Sequence, residues 1–537
     1  MYFLSPFLLP LLTHPSKAPS DSNEEEPRST ELGEEFLHLI YSLEAPPESP
    51  QCQACGITSP TSFFRCRDCF GGSIQCNDCI RRSHFGLAGN PFHRVDRLVR
   101  GLIPEQSFFS RASLADPDIN GALHLGHHGL HCPHQNIGDS TLVRILDTNG
   151  IFTYRVYQCR CLNVETGAKT PLAHQFILAG LFPATCEMVR TAFTFNALKS
   201  AQMHQLCSGE SMWDFYEVVR RWTNNVRPDM VPDLYTQFRH VLHLWRVILM
   251  IKRLGYNCLR VPRGGIVVHC PTCPRVNVNM PLEWQNDPLR GLKYASMLAV
   301  DGNFHLHRNQ KGKADRSLTG SAGFWVDDGE CDDYIDTKGA RPDSGEKGIK
   351  CHSFKAGDPS RSARKSAKSV TGIVMVSCAR HFFIQPNGTA DLHKGERFAY
   401  VDVPLASVIR QQDPGQRHIH TYDIGCKYSV NFKKRDVLIA PGDFPPDFEI
   451  KVPSWHVLGH TQECILENNL RYTPLVGRTA GEGVETIWSV VNKHQYSTRE
   501  MSHGHRRDVL TDIFNDYNWR KITREGTLLC YYKGIRG

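Results

Sequence analysis

From Gln175 to about Gly255 the apolar positions recur with helical period. Ser211–Trp222 (SMWDFYEVVRRW) and Tyr235–Leu254 (YTQFRHVLHLWRVILMIKRL) are the clearest cases, and they predict an α-rich stretch with basic outer faces. Before it, Thr141–Leu146 and Ile151–Cys159 alternate with period two and predict strands, the second leading into the C-x-C of Cys159 and Cys161. After it, from Gly264 onward, come three separate apolar runs, each ending in or containing an acidic residue. Two polar stretches interrupt this pattern. Lys17 to about Glu48 is Ser, Glu and Pro with few aromatics, which predicts a disordered acidic leader with one short helix around Leu32–Leu43. Asn309–Ser369 is too polar for a core of its own and far longer than an ordinary connection, so it is read as an insertion. The expected organisation is a leader over 1–45, a small module over 46–100, an α-rich region with a short β segment over 101–260, and a third domain over 261–537 with the insertion at about 309–369.

The small module is defined by its cysteines. Between Cys52 and His93 the spacing is C-x2-C-x10-C-x2-C-x6-C-x2-C-x4-H-x8-H, placing Cys52, Cys55, Cys66, Cys69, Cys76, Cys79, His84 and His93 as eight soft ligands. Eight suffice for two closed tetrahedral zinc sites with no position open for catalysis, which makes the module structural. In a cross-brace alternate pairs share an ion, giving Cys52, Cys55, Cys76 and Cys79 to one and Cys66, Cys69, His84 and His93 to the other. So short a segment cannot bury enough apolar surface to fold alone, and metal binding supplies the difference.

The bulk numbers change this picture little. The chain has 537 residues, a formal charge of +7 and 20 cysteines, most of those outside the module being scattered. Mild basicity is compatible with a polyanionic partner, and scattered thiols suit a reducing compartment better than a disulfide scaffold. Met1–Leu12 is apolar but lacks a basic flank, is broken by Pro6 and Pro10, and makes a poor secretory signal. No later segment offers the roughly 18 apolar residues of a membrane span, and the chain reads as soluble and intracellular. Lys347–Lys368 carries seven Lys/Arg against one acid, Asp358, a run that reads as solvated surface or as a phosphate contact.

The third domain holds the candidate chemistry. SMLAVDGNFHL sets Asp301 inside what is otherwise a buried strand, a costly placement unless the charge has a partner. HIHTYDI places Asp423 in a similar setting, and GEGVETIW opens a helical pattern with Glu482 and Glu485 on one face. Two strand aspartates and a helical glutamate are the constellation that holds two divalent ions in enzymes of the RNase H-like fold, where carboxylate oxygens suit Mg or Mn. The expected fold class is thus α+β multidomain: a cross-braced zinc module, an α-rich middle and an RNase H-like α/β domain with a polar insertion.

Here a family resemblance enters. FRCRDCF, the run from Cys76 to Ile80 and PFHRV resemble the ZZ-type zinc finger, and more closely the CxC2-like cysteine cluster attached to fungal KDZ transposases. Asp301-Gly-Asn-Phe304, Cys378-Ala-Arg-His381, Tyr422-Asp423-Ile-Gly-Cys426 and GRTAGEGVETIWS, followed by Tyr517, Asn518 and Trp519, resemble the same family in order. Phe182-Pro-Ala-Thr185, Thr191–Phe195 and Cys270-Pro-Thr-Cys273 fit its intervening region. The resemblance implies a DDE-type DNA transposase in which Asp301, Asp423 and Glu485 hold two Mg or Mn ions. Glu482 is the second choice, because hAT-type transposases space their Glu from an aromatic-Ser pair as Glu485 is spaced from Trp488-Ser489. It also implies DNA at transposon ends as partner, a nuclear location, a homo-oligomer when active, and a histone tail or other protein as an alternative target of the zinc module. The competing readings are an inactive, transposase-derived zinc-binding interaction protein, which a truncated C-terminus after Ile535 would favour, and, more weakly, a RING-like ubiquitin ligase.

Other cysteines and histidines leave their roles open. Cys270 and Cys273 form half a zinc ribbon that Cys132, Cys159 and Cys161 would complete as a second zinc group, or they are buried free thiols. His456, His460 and Cys464 recur every fourth residue and would line one helical face, as metal ligands or as packing or hydrogen bonding beside the catalytic face. Cys378-x-x-His381 suits a metal, a phosphate contact or neither.

Overall fold

A computed structural model describes residues 25–85, 89–103, 106–162, 167–310, 315–338, 368–393, 397–432 and 445–534. Most of the expected insertion, nearly all of the basic run after Lys347, the first 24 residues of the leader and the last three residues lie outside them. The expected short helix is present and longer, as α1 (Glu25–Glu44), with Leu39, Ile40 and Tyr41 exposed. Among the described residues no helix is long and apolar enough to cross a membrane.

The chain divides into two compact units, Met1–Phe195 with Val219–Pro232, and Asn196–Val218 with Asp233–Gly537. The change expected at residue 260 therefore falls elsewhere, because α3 (Phe195–Ser208) and α5 (Tyr235–Arg253) supply core to the second unit. α4 (Met212–Thr223) forms where SMWDFYEVVRRW predicts it.

In the first unit, β1 (Phe63–Cys66), β2 (Ile74–Cys76), β3 (Val95–Val99) and β4 (Phe108–Ala112) form an antiparallel sheet in the order β2-β1-β3-β4, with α2 (Asn77–Phe85) following β2. The predicted alternating runs are the hairpin β6 (Ile137–Asp147) and β7 (Gly150–Cys159). With β5 (Ala122–His124), β8 (Leu181–Pro183) and β9 (Thr191–Thr194) they make a second sheet, ordered β5-β7-β6-β9-β8. One core serves both sheets: Phe64, Ile80 and Val95 pack with Val143, Ile145, Tyr154 and Val156. Alternation creates it, since exposed Arg144 lies between buried Val143 and Ile145.

In the second unit, β10 (Ser296–Asn303) is the central strand of five. A short antiparallel pair, β11 (Arg308–Asn309) and β12 (Lys368–Val370), flanks the insertion. β13 (Gly372–Cys378) pairs antiparallel with β10, and β14 (Ile384–Leu392) antiparallel with β13. On the other side β15 (His418–Thr421) runs parallel to β10, and β16 (Phe448–Lys451) parallel to β15, giving the order β14-β13-β10-β15-β16. Strands covered on both faces read as continuous apolar runs, which is why SMLAV and GIVMVS do not alternate. α6 (Phe398–Ile409), buried at every position, packs on β14 and carries the chain across to β15.

The long helix α10 (His503–Gly534) is held differently. Arg506, Arg507, Asp508, Thr511, Asp512, Asn515 and Asn518 are all buried polar residues on it. Asp508 accepts from His243, Ser317 and Thr319, and Asp512 from Arg246 and Gln202. Asn518 bonds both backbone groups of Ile384. Asp391 on β14 pairs with Arg506 at 2.8 Å and Arg507 at 3.1 Å.

Candidate functional site

Sheet topology brings the acids to one end of the sheet. Asp301 lies near the end of β10, Asp423 two residues beyond the end of parallel β15, and Glu485 in the first turn of α9 (Gly483–Val491), which contacts β10 and β13. Parallel neighbours present their C-terminal ends on the same side, so the two aspartates emerge together.

Each acid is held by its own partners. Asp301 accepts the Trp488 indole N–H at 2.7 Å on Oδ2 and the Gly302 N–H at 2.8 Å on Oδ1. His456 stands among the others: its Nε2 is 3.4 Å from Asp423 Oδ2 and 3.3 Å from Glu485 Oε1. Glu482 accepts the backbone N–H groups of Trp455 and His456, the latter at 3.3 Å. This work fixes the loop bearing His456 and leaves Glu482 only 12% exposed, whereas Glu485, at 63%, has its carboxylate available. Burial pushes the Asp301 carboxyl up to about 6 even though the Trp488 and Gly302 donors oppose it. Burial, then the charges of Asp301, Glu485 and Glu482, push Asp423 up to about 8. Carboxylates crowded in this way gain from a divalent cation, and oxygen donors suit Mg or Mn.

Among the described residues, thiols and imidazoles form five groups, each with ligand atoms mutually within 4.8 Å. Two match the expected cross-brace: Cys52, Cys55, Cys76, Cys79, and Cys66, Cys69, His84, His93. Zinc–ligand lengths of about 2.3 Å for sulfur and 2.0 Å for nitrogen give tetrahedral S···N edges of about 3.5 Å. Cys69 Sγ lies 3.5 Å from His84 Nε2 and 3.4 Å from His93 Nδ1. His84 Nδ1 faces the Ile80 carbonyl at 2.8 Å, which leaves Nε2 for the metal. Native mass spectrometry of the full chain is expected to show one zinc fewer in Cys55→Ser and two fewer in Cys55→Ser/Cys69→Ser. An equal loss in the single and double variants would refute the two-ion brace.

The residues of the expected second zinc group fall into two local groups. Cys132, Cys159 and Cys161 join His127 in the first unit, and Cys270 and Cys273 join Cys378 and His381 in the second. Each half finds a local partner: Cys159 Sγ is 3.3 Å from His127 Nε2, and Cys270 Sγ 3.5 Å from His381 Nδ1. The series His456, His460, Cys464 also separates, because residues 456–464 are not one helix. A 3-10 turn covers His456–Gly459, and α8 (Gln462–Asn468) starts from a Thr461 cap. His456 goes to the acids, while His460 and Cys464 meet Cys426, at the start of α7 (Gly425–Phe432), with both thiols 3.5 Å from His460 Nδ1. For His456 the structure favours hydrogen bonding beside the acids over membership of a metal-binding helical face.

Comparison with family models matches residues 294–518 to the Kyakuja-Dileera-Zisupton (KDZ) transposase and residues 118–227 to the CxC2-like cysteine cluster associated with KDZ transposases. The second match covers His127, Cys132, Cys159 and Cys161, and so lies beyond the module at 46–100 where the resemblance was first read. No curated protein and no solved structure matches. The first match contains Asp301, Asp423, His456, Glu482 and Glu485. The chain thus carries both a KDZ transposase domain and the CxC2-like cysteine cluster associated with that family.

Proposed function

We propose that this transposase cleaves and joins DNA strands at element ends by DDE chemistry, with Asp301, Asp423 and Glu485 as the ligands of two Mg or Mn ions. The observation that carries the reading is the meeting of Asp423, Glu485 and Glu482 about His456, with Asp301 close enough to raise the Asp423 carboxyl. An acid on the central strand, one after its parallel neighbour and one on a following helix, in a sheet ordered β14-β13-β10-β15-β16, support an RNase H-like domain. When bound, the ions would supply charge for activating water or a terminal 3′-OH and for the leaving oxygen. The chain's own contribution is positional. Trp488 and Gly302 fix both oxygens of Asp301, and Glu482 holds the His456 loop against the remaining acids.

The family implies DNA binding. In the first unit a pocket of about 590 Å³ is lined by Arg67, Arg94, Arg111, Arg221 and Trp222, with the Arg94 guanidinium 4.2 Å over the Trp222 ring. Such a surface suits phosphates, and the zinc groups beside it in sequence would hold it rigid while a nuclear, oligomeric protein engages two element ends. The zinc module at 46–100 would thereby serve DNA recognition, or dock a histone tail or other protein.

Purified protein is incubated with labelled terminal-repeat DNA and Mg or Mn, comparing wild type with Asp301→Asn, Asp423→Asn and Glu485→Gln. Nicking by each variant is expected to fall more than about 100-fold. A wild type that nicks no better than the variants would leave the chain as a catalytically inactive, zinc-binding interaction protein.

A further inference from the structure

Cys270 and Cys273 precede the sheet of the second unit, whereas Cys378 and His381 bracket the turn between β13 and β14. Separated by more than a hundred residues in sequence, the four converge. His381 Nδ1 lies 3.5 Å from Cys270 Sγ, 3.4 Å from Cys273 Sγ and 3.6 Å from Cys378 Sγ, all near the tetrahedral S···N edge of about 3.5 Å that zinc imposes. Backbone N–H groups donate to the sulfurs from within each C-x-x pair, Cys273 N to Cys270 Sγ and His381 N to Cys378 Sγ, both at 3.3 Å. Cys270 and Cys378 are buried, and Phe383 and Ile522 pack against them. Three thiolates and one imidazole form a closed donor set with no opening for a substrate.

The turn that this group brackets touches the acid site. Phe382, the residue after His381, adopts φ +62°, a left-handed conformation that a bulky side chain holds only when its surroundings enforce it. Its ring lies directly on Gly483, the first residue of α9: a Cβ added at Gly483 would collide with the Phe382 ring. Glu485 follows two residues later. We propose that Cys270, Cys273, Cys378 and His381 bind a structural zinc ion that fixes this turn, seats Phe382 against Gly483, and so sets the position of the helix bearing Glu485. The zinc site stands on its own geometry; its effect on Glu485 rests on the reading of that residue as an ion ligand.

The test uses the full chain and two readouts that need no turnover: zinc content by native mass spectrometry, and the thermal shift produced by titrated Mn2+. His381→Ala is expected to lose one zinc and to need about tenfold more Mn2+ for half its shift, the size of effect that supporting residues have on metal sites. His381→Cys, which keeps a tetrahedral donor set, is expected to retain the ion and the wild-type Mn2+ response. Phe382→Ala is expected to keep its zinc yet show the weakened response, which separates positioning from folding. An unchanged zinc count in His381→Ala, or a wild type carrying a Cys273–Cys378 disulfide in place of the ion, would overturn the site. A wild-type Mn2+ response in Phe382→Ala would overturn the positioning role. If wild type fails to nick DNA, both readouts still decide the inference.

Discussion

Asp423→Asn is expected to cut DNA nicking by more than about 100-fold and, at the same time, to make the metal-free protein more stable at pH 8. The second half follows from proton linkage. Asp423 has its carboxyl raised from an ordinary value of 3.8 to about 8, first by burial and then by Asp301, Glu485 and Glu482. Between those values the folded state keeps a proton that the unfolded chain has released. The associated stability is therefore complete below about pH 4 and lost as pH rises through 8. Asp301, raised to about 6, adds the same sign over a narrower window. A divalent ion competes with these protons, so its stabilising effect must grow as pH rises. Thermal unfolding with and without Mn2+ at pH 6 and pH 8 reads this directly: a larger Mn2+ shift at pH 8 in wild type, and a much flatter response in Asp423→Asn. A wild-type shift independent of pH would show that the carboxylates are not the ion's ligands.

The second large effect lies away from the chemistry. Asp391→Asn should destabilise the second unit by about 3–5 kcal/mol, because it leaves Arg506 buried without its counter-charge and Arg507 with Asp328 as its remaining carboxylate. Burial works to raise the Asp391 carboxyl, but the two guanidinium groups hold it well below the carboxylate range. Its contribution is present above the ordinary value of 3.8 and disappears only as pH falls towards the depressed folded value. For a unit of this size the loss corresponds to roughly 10 °C in Tm. Trp325 is a natural reporter, since its indole N–H donates to the Arg507 carbonyl at 3.1 Å and the Arg507 guanidinium sits 4.8 Å from its ring. If the Trp325 fluorescence transition in Asp391→Asn coincides with that of wild type, the network is not what holds α10.

What could be read from the sequence was whatever acts locally. The eight ligands of the small module lie within a few dozen residues, and their alternate pairing follows from spacing alone. Helical and alternating periods placed α4, α5, β6 and β7 to within a few residues. The acids were legible because a charge inside an apolar run is conspicuous, and their meeting then follows from parallel pairing of β10 with β15. Long-range chemistry was not legible. Cys270 and Cys273 find Cys378 and His381 only after the β13–β14 turn folds back, and no spacing rule spans such a gap. His127 is one of several histidines in the Gly/His-rich loop Leu125–His134, and no spacing singles it out. The polar face of α10 is buried by partners far off in sequence, and polarity alone does not say where those partners are.

That face gives the last helix an unusual kind of selectivity. A helix seated through apolar side chains can slide or rotate by a residue and still bury most of its area. α10 cannot, because Asp508, Asp512, Asn515 and Asn518 each have named partners on different elements of the same unit. A slip by one position would orphan them together, at about 1–3 kcal/mol for each buried group left unmet. The helix works as a key with one cut: in any other register that still buries this face, its donors and acceptors lose their partners. Seating α10 in register thus requires the sheet edge at Ile384 and Asp391 and the helices α3 and α5 together, since each supplies partners to its buried polar face.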